Sequence, residues 1–216
     1  MWKVRTFWLV LSSGDTASPV IGGLGQSEQS GDRDRDGDPL VELLRAWQQG
    51  DPDAFDALML RMHGKVFRVA YRLLGNRSEA EEAAQDVFWR LYRAGRKIRE
   101  PEALHGWVYR TTVNAARSRG RRLEAQSETA SMELAAWSAD GEVGTEDRLV
   151  LREAVQQALG CLSPKEREVV VLRDIEGLEI ADVASAMRVF AVTVRTHLSR
   201  ARLKLRRELE QRGIHP

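Results

Sequence analysis

The sequence predicts an all-α protein of two small helical domains joined by a flexible acidic linker, the second of them a helix-turn-helix domain. Three observations predict it. Apolar residues recur at helical spacing through both halves of the chain, and nothing reads as a strand-helix alternation. Charge is strongly segregated beneath a net value of only +1. The last third runs short amphipathic helix, brief turn, long basic helix.

The segregation points to a ligand class. Residues 90–122 carry ten Arg and Lys against Glu100 and Glu102, and residues 188–212 carry eight against Glu208 and Glu210. Between them, residues 123–147 carry seven acids and no base. Two basic blocks around an acidic link suggest two separate surfaces for a polyanion, of which nucleic acid is the obvious one. Plain solvated helix faces are the alternative at this point.

Along the chain, residues 1–38 are rich in Gly, Ser and Asp and read as a disordered extension. Its apolar patch from Phe7 to Leu11 is too short to span a bilayer. Ala17-Ser18-Pro19 makes a poor cleavage site after it, so secretion and membrane insertion are not expected and the cytoplasm is. Asp51-Pro52 offers a capping acceptor and a first-turn proline. Phe55, Leu58, Met59, Met62, Val66, Val69 and Leu73 then form one apolar stripe. Gly75-Asn76 stops that helix, and Ser78 with Glu79 and Glu81 opens the next. Ala80, Ala84, Val87 and Leu91 form its inner face, and after Pro101 a third stripe runs through Leu104, Trp107, Val108, Thr111 and Ala115. Residues 39–122 therefore read as one domain and 123–145 as linker.

The second domain is expected over 146–212. Leu151, Ala154, Val155, Ala158, Leu159 and Leu162 share a face, and Ser163-Pro164-Lys165-Glu166 is a capping box with proline at the first helical position. Ile180, Val183, Ala184 and Met187 make a short helix, and Val194, Leu198, Ala201, Leu205 and Leu209 line the long basic one. Cys161 ends an apolar pattern and reads as a small core residue; as the sole cysteine it excludes an internal disulfide and any multi-cysteine metal site. The four histidines are scattered without paired acids, and no phosphate loop or nucleophile motif is present. The expectation is a binding protein without cofactor or metal, not an enzyme.

Two sets of residues carry a family resemblance. Leu162 to Glu168, Ile180 to Ala184 and Thr193 to Arg202 resemble the fourth region of extracytoplasmic-function RNA polymerase sigma factors. Regulators of the LuxR class end in a similar module and are the alternative. Ala54 to Leu58, Leu73 to Arg77, Ala80 to Phe88, and Trp107 to Arg110 with Asn114 resemble the sigma second region in order and spacing, and this decides for the sigma reading.

The resemblance implies a subunit that binds core RNA polymerase and promoter DNA, both as duplex and as melted strand, and that an anti-sigma factor holds when free. It places core-polymerase contacts on the helix over 79–94, at Gln85, Asp86, Phe88, Trp89 and Tyr92, with burial the alternative for Phe88 and Trp89. It places −10 contacts at Arg99, His105, Arg110, Asn114, Arg117 and Arg121, although Glu100 and Glu102 are unexpected in a loop that meets DNA. The −35 contacts fall at Thr193, Arg195, Thr196, Ser199, Arg200 and Arg202. One stretch departs from the family. Where glycine and a capping serine are usual, this chain has Arg188 and Phe190. The expectation is a recognition helix that starts late, with Thr193 as cap, or a looser turn.

Overall fold

The computed structural model describes residues 37–127 and 155–211. The extension before Gly37, most of the acidic link and the start of the Leu151 stripe lie outside the described residues. Every described element is helical, as the periodicity predicts. The first half holds α1 (Pro39–Gln48), α2 (Pro52–Leu74), α3 (Arg77–Ala94) and α4 (Leu104–Ser127), with two 3-10 turns between α3 and α4. The second holds a helical stretch over 155–160, α5 (Pro164–Val170) running on as a π-turn through Ile175, α6 (Ile180–Met187) and α7 (Ala191–Gln211).

Local chemistry fixes these boundaries. Asp38 and Asp51 each precede a first-turn proline and accept from the orphan amides of Leu40, and of Asp53 and Ala54. Gly75 ends α2 in the left-handed region at φ 70°, which costs a residue without Cβ nothing. The next cap is Asn76, whose side chain accepts from Glu79 N at 3.0 Å, so α3 starts earlier than Ser78 suggests. Ser163 and Glu166 close the expected capping box in both directions. α4 continues to Ser127, into the stretch read as linker.

Two apolar clusters form the interior. The first joins α1 to α4 through Leu44, Trp47, Phe55, Leu58, Val87 and Leu104. The second gathers Leu159, Leu172, Val183, Met187, Val194 and Ala201, and it also takes in Val69, Tyr109 and Val113 from α2 and α4. The two halves are therefore not merely tethered. They share an apolar layer whose two valines are at most 1% exposed. Cys161 is a correction: it is exposed, in the turn that follows residue 160, where its amide donates to Ala158 O.

Candidate functional site

On α3 the inner face is buried as expected, and Phe88 goes with it. Phe88 is 3% exposed and stacks on His63, the burial that the sequence left as its alternative. Trp89 and Tyr92 behave oppositely. They are 54% and 40% exposed, and their rings stack at 6.2 Å. Tyr92 stands edge-on to buried Phe55 at 5.3 Å, and Phe55 lies against Trp47. A pair of rings held from below by a packed core, with Gln85 exposed on the same helix, presents a preformed apolar anchor.

Asp86 has a structural engagement that the sequence did not suggest. It accepts from Arg119 at 3.3 Å, and the same guanidinium reaches Glu79 at 3.1 Å and Glu82 at 2.5 Å. Burial opposes the charge on Arg119, but these carboxylates outweigh it and raise its pKa. The acid-rich start of α3 is thus a cradle for a cation on α4.

The basic block of α4 and its preceding loop divides into two groups. Arg99, His105 and Arg110 line a cleft of about 690 Å³. His105 bonds Asp38 at 2.6 Å, and Asn114 is half-buried one turn beyond Arg110. Glu102, one of the two unexpected acids, is paired with Arg45, so part of the loop's negative charge is offset within the fold. The same cleft is also lined by Leu178, Asp182 and Ser185 of the second half. Arg121 is exposed further along α4.

Arg117 belongs to the second group. Its Nε and Nη2 donate to Glu168 at 2.6 and 2.5 Å, and its Nη1 to Met187 O at 3.4 Å. Beside it, the Tyr109 hydroxyl donates to Glu176 at 3.2 Å, and Glu176 also takes Arg72 at 2.7 Å. Burial first, and then Glu176, push the Tyr109 hydroxyl well above its ordinary pKa, so it remains a donor. The sequence assigns no role to Glu168, only 4% exposed, or to Glu176. The signal was there: Glu168 directly precedes the apolar run Val169 to Leu172, where a carboxylate can be buried only with a partner.

In the second half, α7 starts at Ala191 and not later. Phe190 holds the cap position, its carbonyl accepting from Thr193 N and Val194 N, and no Thr193 cap forms. Arg188 takes the left-handed conformation at φ 57° that the turn demands, so the turn keeps its geometry despite the missing glycine. Arg195, Thr196, Ser199 and Arg200 are exposed along the helix, while Val194, Leu198 and Ala201 are buried beneath them. Thr193 is half-buried. Thr196 donates its hydroxyl proton back to Val192 O at 3.0 Å, and Arg202 is held by Asp174 at 2.6 and 3.0 Å. That pairing raises the Arg202 pKa and ties the side chain to its own domain.

Residues 58–126 match the family model for sigma-70 region 2, and residues 152–205 match that for sigma-70, region 4. The chain is similar to the ECF RNA polymerase sigma factor SigM of Mycobacterium tuberculosis, 36% identical over 192 residues, spanning 88% of this chain and 90% of SigM. It is 32% identical over 181 residues to the ECF RNA polymerase sigma factor SigW of Bacillus subtilis, spanning 79% and 96%. Among solved structures, CnrH in complex with the cytosolic domain of CnrY superposes with a TM-score of 0.59 at 25% identity, over 81% of this chain and 99% of CnrH. RpoE of Bartonella quintana, in complex with the anti-sigma factor NepR, shares the fold at a TM-score of 0.58 and 23% identity, over 72% and 96%.

Proposed function

This chain belongs to the extracytoplasmic-function sigma factors of bacterial RNA polymerase, and we propose that its two domains divide the work of promoter recognition as follows. As a sigma factor it binds core RNA polymerase and directs promoter recognition, melting and initiation. The domain over 39–122 carries the polymerase contact and the −10 contact, and the domain over 146–212 carries the −35 contact. Trp89, Tyr92 and Gln85 on α3 form the anchor for core polymerase. Arg99, His105, Arg110 and Asn114 around the cleft receive the melted −10 strand, since cations track phosphates while rings and polar edges accept unstacked bases. Arg195, Ser199 and Arg200 meet base edges of the −35 duplex from the recognition helix, and Arg206 and Arg207 meet phosphates.

The protein acts by binding alone, without a catalytic step or cofactor, in the cytoplasm. None of its described helices is long and apolar enough to cross a membrane. The complexes of CnrH with CnrY and of RpoE with NepR support a similar partner, an anti-sigma factor, for this chain. Because Tyr109 and Arg117 are engaged by Glu176 and Glu168, DNA that runs along this part of α4 requires the two domains to separate first.

The observation that carries the reading is the stacked, core-supported pair Trp89–Tyr92 on a chain that also presents an exposed basic recognition helix. The test is co-purification of the Trp89→Ala, Tyr92→Ala double variant with core polymerase. Loss of two interface hot spots is expected to weaken binding by about thirtyfold or more. A folded double variant that binds core like the parent would contradict the assignment.

A further inference from the structure

The turn into the recognition helix is locally unfavourable at two successive points. Arg188 holds a left-handed conformation that glycine adopts freely. Two residues on, Phe190 fills the cap position with a side chain that cannot accept a hydrogen bond. Phe190 gains no packing for its own side chain. Phe190 is 82% exposed and Val192 65%, the two most exposed large apolar side chains among the described residues. Both stand at the leading edge of α7, the end of a recognition helix that meets bases.

The surroundings identify the occupant by charge. Residues 188–207 contain no acid, and Arg188, Arg195 and Arg200 are exposed on the same turn and helix as the two apolar side chains. A polyanion with apolar groups on its readable face fits that edge. In duplex DNA the major groove offers one such group, the 5-methyl of thymine, which apolar side chains read by contact. Thr196 has already committed its hydroxyl proton inside the helix, which further tips this edge from hydrogen-bond donation towards apolar contact.

We propose that Phe190 and Val192 are specificity-determining residues that read thymine methyl groups in the −35 duplex. The proposal rests on the −35 assignment of this domain and adds to it a base preference at defined positions. Arg195 and Arg200 hold the edge in the groove, and Phe190 and Val192 discriminate thymine from cytosine and from any base without a methyl at that depth.

The experiment uses the full chain assembled with core polymerase. A randomised −35 duplex pool is selected for binding, and each thymine of the selected sequence is then replaced singly by uracil, which removes only the methyl group. At one or two positions the change is expected to weaken binding about fourfold, the worth of one buried methyl. Phe190→Ser and Val192→Ser should bind the thymine and uracil duplexes equally while retaining the salt dependence of the parent. Phe190→Ser restores a capping acceptor, so loss of fold does not obscure the comparison. A selected sequence without thymine, or parent binding indifferent to uracil at every position, overturns the proposal and leaves the −35 assignment standing. Variants that weaken core assembly yet keep the thymine preference also overturn it, by making the edge a protein contact. Failure to enrich any duplex removes the underlying −35 assignment instead.

Discussion

Glu168→Gln tests whether the contact between the domains restrains the proposed −10 surface. Glu168 is 4% exposed and accepts two short hydrogen bonds from Arg117, whose side chain is 26% exposed. Breaking a fully buried pair costs about 3–5 kcal/mol, and breaking an exposed one under about 1 kcal/mol. Arg117 is a quarter open to water and can rehydrate, and glutamine keeps one acceptor, which places the loss at about 2 kcal/mol. At about 1.4 kcal/mol per decade, that shifts the balance between closed and separated domains roughly thirtyfold. Fluorescence anisotropy with a single-stranded −10 oligonucleotide should show tighter binding by the variant, up to that factor. Glu42→Gln removes the same charge from an exposed position and controls for net charge. A cycle with Arg117→Gln in denaturant unfolding should recover a coupling energy of about 2 kcal/mol. Unchanged affinity together with a coupling energy near zero would mean that the Arg117–Glu168 pair does not hold the domains closed.

Three further outcomes follow from named contacts. The Glu166 carboxyl, 5% exposed, is held down to about 2 from 4.5, chiefly by its hydrogen bond from Lys204 and further by Ser163. A depressed carboxylate contributes stability above its unfolded pKa and loses it as pH falls from about 4.5 to about 2. With Lys204 half-exposed, that contribution is discounted to about 1 kcal/mol, and urea unfolding should show Lys204→Met less stable than the parent at neutral pH but not near pH 2. Arg188→Gly should relieve the left-handed penalty, about 1 kcal/mol, and raise the melting temperature of the full chain by about 2–4 °C; an equal or lower value would mean that the arginine is stabilised by contacts made elsewhere. Asp86→Arg should lower thermal stability as well as core binding, because it sets a second cation beside Arg119; unchanged stability would show the Arg119 cradle to be dispensable.

The legible parts of the sequence were those governed by local rules. Proline after aspartate, glycine in the left-handed region and a serine–glutamate box act within four residues, so the starts of α2 and α5 and the end of α2 could be placed before any tertiary contact was known, whereas the short α1 was not read as a helix. The exposed anchor was half legible. Helical spacing put Phe88 and Trp89 near the same boundary, and only packing against His63 sends Phe88 inward while Trp89 stays out. The long-range ion pairs were not legible. Arg117 and Glu168 lie 51 residues apart and Tyr109 and Glu176 lie 67 apart, and no helical period links them. At Arg188 local propensity argues for a late helix start, and the structure differs. Burial of Met187 and Val194 on either side holds the usual geometry, and the local cost is absorbed.

Run-off transcription with purified core polymerase on a promoter library randomised at both elements separates a sigma factor from a regulator that only binds DNA. Transcripts are expected to depend on this protein and to arise from templates sharing two separated motifs, with the upstream motif altered by substitutions at Arg195 or Arg200 and the downstream one by substitutions at Arg99 or Arg110. A chain that binds duplex DNA with sequence preference yet gives no transcript above core polymerase alone would contradict this expectation.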